Sequence, residues 1–245
     1  MNGEPLVLGL DTSHQRGSVA VCRGGEVLGE ILFDASDTHS ATLLPAIDAC
    51  LASVKVDLSA IELFAVVYGP GSFTGLRIAL ATVKAFAAVR RVPVVPVESC
   101  AVLAAAFPFV ERPVLPLIDA RRGEVYGGLY ETRDGSPREV VPVFSAKPEV
   151  LGSYLEAHEA RGPFILCGTG ALRHRALLET VMPPGSLFAG ARWALPSASL
   201  CATLALERKP LTYQELFALE PLYIRPPDAR IPSAARRGPR AGEVG

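Results

Sequence analysis

Residues 66–87 read VVYGPGSFTGLRIALATVKAFA. An apolar run gives way to a glycine-rich turn, and an alanine-rich stretch with helical spacing follows. Proteins use this order of strand, tight loop and helix to cradle phosphate, because the first N–H groups of a helix lack intrahelical acceptors and carry partial positive charge. Spacing tests two known templates. A Walker loop needs four residues between its glycines, then Lys and Ser or Thr. Here five residues separate Gly69 from Gly75, three separate Gly71 from Gly75, and Leu76-Arg77 follows. The dinucleotide fingerprint needs glycine at 69, 71 and 74, and position 74 is Thr. Both templates fail. Two readings stay open: Gly71, Ser72, Thr74 and Gly75 contact an anion, or the glycines only permit a tight turn and close packing.

Working outward, PLVLGLDTS (5–13) reads as an apolar strand ending in polar residues. GSVAVCRGGEVLGEILF (17–33) is two β-rich runs around Gly24-Gly25, a hairpin signal. Residues 40–54 space Leu43, Leu44, Ile47 and Leu51 as a helix, with Pro45 expected in its first turns or at a kink. LFAVVYG (63–69) is a buried strand, Gly75 to about Arg90 a helix, and VPVVPVES (92–99) another strand. The segment 1–99 is therefore expected to form a mixed α/β sheet with its meander at the N-terminus. A second lobe is expected over 100–225. ESCAVLAAAF (98–107) is helical, VLPLIDA (114–120) and EVYGGLYET (124–132) are strands joined by a turn at 121–123, 147–160 is helical, 164–168 is a strand, and 172–181 and 197–209 are helices. Residues 226–245, rich in Pro, Arg, Ala and Gly, are expected to be a flexible tail. No long-period repeat is visible.

The chain is 49% hydrophobic and 20% charged with a net charge of −1, so no global basic field advertises nucleic acid. Basic charge is local: from Arg225 onward five Arg face Asp228 and Glu243. Five widely spaced cysteines form no C-x-x-C pair, which suggests neither a zinc site nor a disulfide framework. MNGEPLVLGLDTS lacks the basic segment of a signal peptide, and no uncharged apolar run is long enough to cross a bilayer. A cytoplasmic location is expected.

LGLDTS (8–13) with GSVAV (17–21), THSATLLPAID (38–48), GPGSFTGLRIALATVKAFA (69–87), IDARRGEVYGGLY (118–130) and PLYIR (221–225) together resemble the TsaB/YeaZ family of bacterial threonylcarbamoyladenosine-biosynthesis proteins. The resemblance covers nearly the whole chain up to Arg225. It implies the α/β fold of the actin/Hsp70/sugar-kinase (ASKHA) class, with two ribonuclease-H-like lobes built on mixed sheets. It implies a part in forming N6-threonylcarbamoyladenosine next to the anticodon of tRNA, as a non-catalytic, degenerate paralogue of the catalytic subunit TsaD. The implied partners are TsaD in a heterodimer and the ATPase TsaE, with tRNA reached through the complex and a homodimer forming when the partner is absent.

The degeneracy implied by the resemblance can be followed in the residues. The catalytic paralogue holds a metal through two histidines four apart on the first-lobe helix, a spacing that puts both imidazoles on one face. Here His39 takes the first place and Leu43 the second. His14, His158 and His174 stand at no chelating separation, so no metal and no cofactor is expected, and a metallopeptidase is disfavoured. Asp11, Thr12 and Ser13 sit where this fold places its first phosphate loop, where an acid would hold Mg²⁺ through water. The alternative is that Asp11 only hydrogen-bonds nearby backbone. Gly168 and Gly170 in CGTGA (167–171) are at best a distorted adenosine motif, and Asp119, Arg121, Arg122 and Glu124 form a charged turn that is a binding edge or a solvated tip. In the family the first two helices of the first lobe bundle with the same pair in the partner. Residues 40–53 and 75–89, and among them Leu43, Leu44, Ile47, Arg77, Leu80, Ala81 and Lys84, are accordingly expected at the partner interface. The competing expectation is an ATPase or kinase acting through Asp11.

Overall fold

The computed structural model describes residues 3–34 and 39–224, with the backbone alone at 39–41. The tail expected over 226–245 and the side chain of His39 lie outside the described residues. The chain opens with three strands, β1 (Leu6–Asp11), β2 (Arg16–Arg23) and β3 (Glu26–Asp34), then α1 (His39–Ser53), β4 (Leu63–Gly69), α2 (Phe73–Arg90) and β5 (Val94–Glu98). These strands form one sheet in the order β3-β2-β1-β4-β5. The meander is antiparallel, while β4 and β5 join parallel to β1. Every residue of β1 is buried, which is why its sequence is an unbroken apolar run: helices cover both faces.

After α3 (Ser99–Ala105) the pattern recurs. It comprises β6 (Val114–Asp119), β7 (Val125–Glu131), β8 (Arg138–Ala146), α4 (Leu151–Ala157), β9 (Ile165–Cys167), α5 (Thr169–Arg173), α6 (Arg175–Val181) and β10 (Leu187–Phe188). The second sheet runs β10-β9-β6-β7-β8, the first sheet's connectivity repeated. A duplication is thus present where no repeat is visible in the sequence. What survives is the pattern of buried positions, as in LVLGLD against VLPLID, rather than residue identity. The expected helix over 172–181 is broken at His174 into α5 and α6. Strand β8 gives no clear signal in the sequence because it presents few buried positions and contains Pro142.

The chain closes with α7 (Ala198–Leu206) and α8 (Tyr213–Ala218). Helices α3 and α7 lie between the two sheets, in a core that joins Val7, Ala20 and Cys22 to Ile118 and Tyr130. The approach of α7 to β1 is close: a Cβ on Gly9 would collide with the Ala198 carbonyl oxygen. Ser18 Oγ accepts from Ala198 N at 2.9 Å. The Glu30 carboxylate accepts from Ser197 Oγ at 2.8 Å and from Ser199 N at 3.1 Å, so sheet residues satisfy the exposed N–H groups at the head of α7. Although 198–222 falls in the stretch expected to form the second lobe, it packs on the first sheet. Leu211 N donates to Val94 O at 2.9 Å, Leu222 N donates to Tyr68 O at 2.8 Å, and Leu216 enters the first lobe's outer core. That outer core also holds α1 and α2, while α4, α5 and α6 cover the far face of the second sheet.

Candidate functional site: the Asp11 loop and the outer helical face

The loop after β1 is closed by its own hydrogen bonds. Ser13 N donates to Asp11 Oδ1 at 2.8 Å, and Thr12 Oγ1 donates to Gly75 O at 2.7 Å. At the head of α2, Ser72 N donates to Ser13 O at 2.6 Å. Ser72 Oγ caps the helix by accepting from Gly75 N at 3.3 Å. A Cβ on Gly71 would collide with Ser13 O, so this glycine is required by close approach. Thr74 is exposed, with Gly71 and Ser72 half-buried. Two N–H donors that a phosphate would need are therefore already turned to Ser13 O and Ser72 Oγ.

Asp11 is fully buried. Burial lifts its pKa to about 6, against hydrogen bonds from Ser13 that pull it down, and among the described residues its Oδ2 has no hydrogen-bond partner. His14 sits beside it with Nδ1 at 2.8 Å from Ser13 Oγ. Burial pushes this imidazole down to about 4, so it is neutral at neutral pH. Among the described residues no group of three or more His, Cys, Asp or Glu side chains converges to hold a metal, and Asp11 is a single acidic ligand.

The duplication supplies a twin. Asp119 ends β6 as Asp11 ends β1, and Arg121 N donates to Asp119 Oδ1 at 3.0 Å in the same local turn. The other carboxylate oxygen differs: Arg173 Nη1 lies 2.6 Å from Asp119 Oδ2. Thr169 Oγ1 accepts from Asp119 N at 3.0 Å. Gly168, at φ +96, has the Leu117 carbonyl where a Cβ would stand, and a Cβ on Gly170 would lie 2.9 Å from the same oxygen. The distorted glycine pair packs α5 onto β6. In the charged turn, Arg121 and Arg122 are exposed with φ of 61° and 54°, and Ser145 Oγ donates to Glu124 Oε2 at 3.4 Å.

The residues expected at the partner surface divide. Leu43, Ile47 and Leu80 are 0%, 1% and 3% exposed and belong to the outer core, which corrects their expected outward placement: they point at the sheet. Leu44 (49%), Arg77 and Ala81 face outward. Lys84 is half-buried, its Nζ donating to Phe217 O at 3.1 Å and Leu219 O at 2.6 Å. Arg77 Nε donates to Tyr223 OH at 3.0 Å, while its guanidinium lies 4.0 Å over the Phe73 ring, and Phe73 stacks on Tyr223 at 5.3 Å. The C-terminal segment thus straps one flank of α2 and engages both of its expected cationic contacts. The apolar part of the outward face is Phe73, Ala81, Ala85, Ala88 and Val89 on α2 and Leu44, Ala49 and Ala52 on α1, with Thr74 and Asp48 exposed among them. Ala49, Ala52, Ala85, Ala88 and Val89 fall within the expected 40–53 and 75–89, and Phe73 lies outside them. The signal is present as the 73-77-81-85 row, one residue out of phase with the buried Leu76, Leu80 and Val83.

A family model described as tRNA N6-adenosine threonylcarbamoyltransferase, TsaD, matches residues 33–158. The chain is 29% identical over 220 residues to the Bacillus subtilis tRNA threonylcarbamoyladenosine biosynthesis protein TsaB, covering 89% of this chain and 93% of that protein. The structure of YeaZ from Pseudomonas aeruginosa superposes with a TM-score of 0.74 at 29% identity, covering 89% of this chain and 99% of that one. A ROK hexokinase from Thermus thermophilus, at 15% identity, superposes with a TM-score of 0.50 over 82% of this chain and 99% of its own, which shows the expected sugar-kinase-like fold. By a family model spanning half its length and TsaB and YeaZ relatives along nearly all of it, the chain belongs to the TsaB (YeaZ) branch of the TsaD family.

Proposed function

We propose that this chain is the non-catalytic subunit that pairs with a TsaD-like catalytic subunit for N6-threonylcarbamoyladenosine formation on tRNA, in the cytoplasm. A TsaE-like ATPase joins the assembly, and tRNA is reached through the complex. The observation that carries the pairing is the outward face of α2, where Phe73, Ala81, Ala85, Ala88 and Val89, the last 83% exposed, surround the exposed cation Arg77, with Leu44 exposed on α1. Contiguous apolar surface of this kind rarely stays bare in solution, and small side chains let a second helix pair approach closely. Without the partner, the same face supports a homodimer.

The closed Asp11 loop favours an accessory role over a phosphotransferase, since Ser72 N and Gly75 N already have protein acceptors. Co-purification of the Ala81→Glu variant with the catalytic subunit tests the reading. Ala81 is exposed, so the variant should fold with wild-type circular dichroism, fail to pair, and support no modification in a reconstituted reaction. Normal pairing by this variant would refute the placement. Mg-ATP turnover by the isolated chain, lost in Asp11→Ala, would replace the accessory reading by the ATPase one.

A further inference from the structure

The open edge of the second sheet carries a feature that pairing through α1 and α2 does not use. Strand β10 is only two residues long and is held to β9 by Leu187 N donating to Phe164 O and Ala189 N donating to Leu166 O, both at 2.8 Å. Beside it lies a partly open cleft of about 940 Å³, lined by Phe107, Arg175, Phe188 and Trp193 among others. Trp193 is the only tryptophan of the chain and is 39% exposed. Its ring leans on Phe107 with centroids 5.6 Å apart.

One guanidinium group, that of Arg175, lines this shelf, and two more stand at its rim. Arg192 lies 5.2 Å from the Trp193 centroid, and Arg175 lies 5.2 Å from that of Phe188. Arg112 reaches the rim, donating to Gly185 O at 3.1 Å. The acid at the lining, Glu179, is held by Arg175 at 2.8 Å. Three cations against one acid leave a local excess of two positive charges on a chain of net charge −1. Exposed aromatic faces interleaved with arginines stack unpaired bases while the guanidinium groups hold phosphates. A cleft at the upper end of the usual roughly 300–1,000 Å³ range for small-molecule sites, yet partly open, admits a segment of an extended polymer as well as an enclosed small ligand.

We propose that this cleft binds an unpaired segment of RNA, one base stacking on Trp193 and the flanking phosphates facing Arg112, Arg175 and Arg192. That the RNA is tRNA rests on the proposed function; the stacking site itself does not, because it lies on the other lobe from α1 and α2. The lone tryptophan is the reporter. The full chain is titrated with an unstructured oligoribonucleotide of about twelve nucleotides, and Trp193 fluorescence is followed. Expected is saturable quenching with a dissociation constant near or below about 10⁻⁴ M at low salt, weakening with a log–log salt slope of about −2 for three phosphate contacts. The Arg112→Gln/Arg175→Gln variant should bind more weakly and lose about 0.7 of a unit of slope per arginine, with its melting temperature unchanged. Arg192→Gln offers the same test at one exposed position. Three results would overturn the proposal: no quenching at about 1 mM RNA, equal quenching by free AMP, or quenching by a peptide of residues 226–245 but not by RNA. Normal pairing with the catalytic subunit alongside unquenched Trp193 would reject this site and leave the proposed function standing.

Discussion

Replacing Asp11 by asparagine isolates what it takes to hold a carboxyl in the closed loop. Asp11 is fully buried with Oδ2 unpartnered, and its pKa is lifted from 3.8 to about 6 by burial. In the unfolded chain the carboxyl ionises near its ordinary value, so as pH rises the unfolded state loses its proton first. The stability Asp11 contributes is therefore full below about pH 4 and lost once pH passes 6. That loss integrates to about 3 kcal/mol. His14 acts in the opposite sense: lowered from 6.5 to about 4, it contributes most above 6.5 and less as pH falls through 4. In the wild type the two slopes oppose each other over one window. The Asp11→Asn variant keeps the acceptor for Ser13 N–H and deletes the charge, while its amide N–H meets no acceptor where Oδ2 stood, costing about 1–3 kcal/mol at every pH. The diagnostic quantity is the pH-dependent part: relative to wild type, the variant gains about 3 kcal/mol on going from pH 4 to about pH 7.5, and its own profile falls steeply in acid. Urea unfolding followed by circular dichroism at both pH values measures it. A difference that does not change with pH would refute the buried, unpaired carboxyl. Greater destabilisation at the higher pH would mean that Asp11 meets a cation.

Leu80→Glu should behave unlike its neighbour's substitution at Ala81. Leu80 is 3% exposed in the outer core, so a charge there unfolds the lobe, and even Leu80→Ala should cost about 2–5 kcal/mol by urea unfolding. A folded, merely unpaired Leu80→Glu protein would contradict its inward placement. Gly9→Ala should destabilise by about 1–3 kcal/mol or more, because the added methyl meets the backbone of α7 rather than a side chain able to swing away. A wild-type melting temperature for this variant would show that α7 does not lie against β1.

The elements that could be read from sequence are those whose period follows from local burial. β1 and β4 are continuous apolar runs because both faces are covered, and the β2–β3 hairpin announces itself through Gly24, which adopts φ +54. The family motifs carried the fold class, since they mark turns and close approaches that recur wherever the fold does. Helical spacing located α2, but in so alanine-rich a helix the buried and exposed rows look alike in composition. Which row faces the sheet depends on where the sheet lies, so spacing over 75–89 does not separate the buried Leu80 from the exposed Val89. The Arg77 and Lys84 contacts depend on a C-terminal strap more than a hundred residues away.

The strand–loop–helix order, the mixed strands near the N-terminus and the failure of the phosphate templates were legible before any coordinates, because each follows from neighbouring residues and their spacing. It took the folded chain to show that α7 returns between the sheets, that Ser13 takes the amide of Ser72, that Arg173 neutralises Asp119 while among the described residues Asp11 Oδ2 has no partner, and that Trp193 lines a cleft beside β10. Those facts are contacts between residues far apart in the chain. Their free energy depends on distance and desolvation in space, which composition and periodicity do not encode.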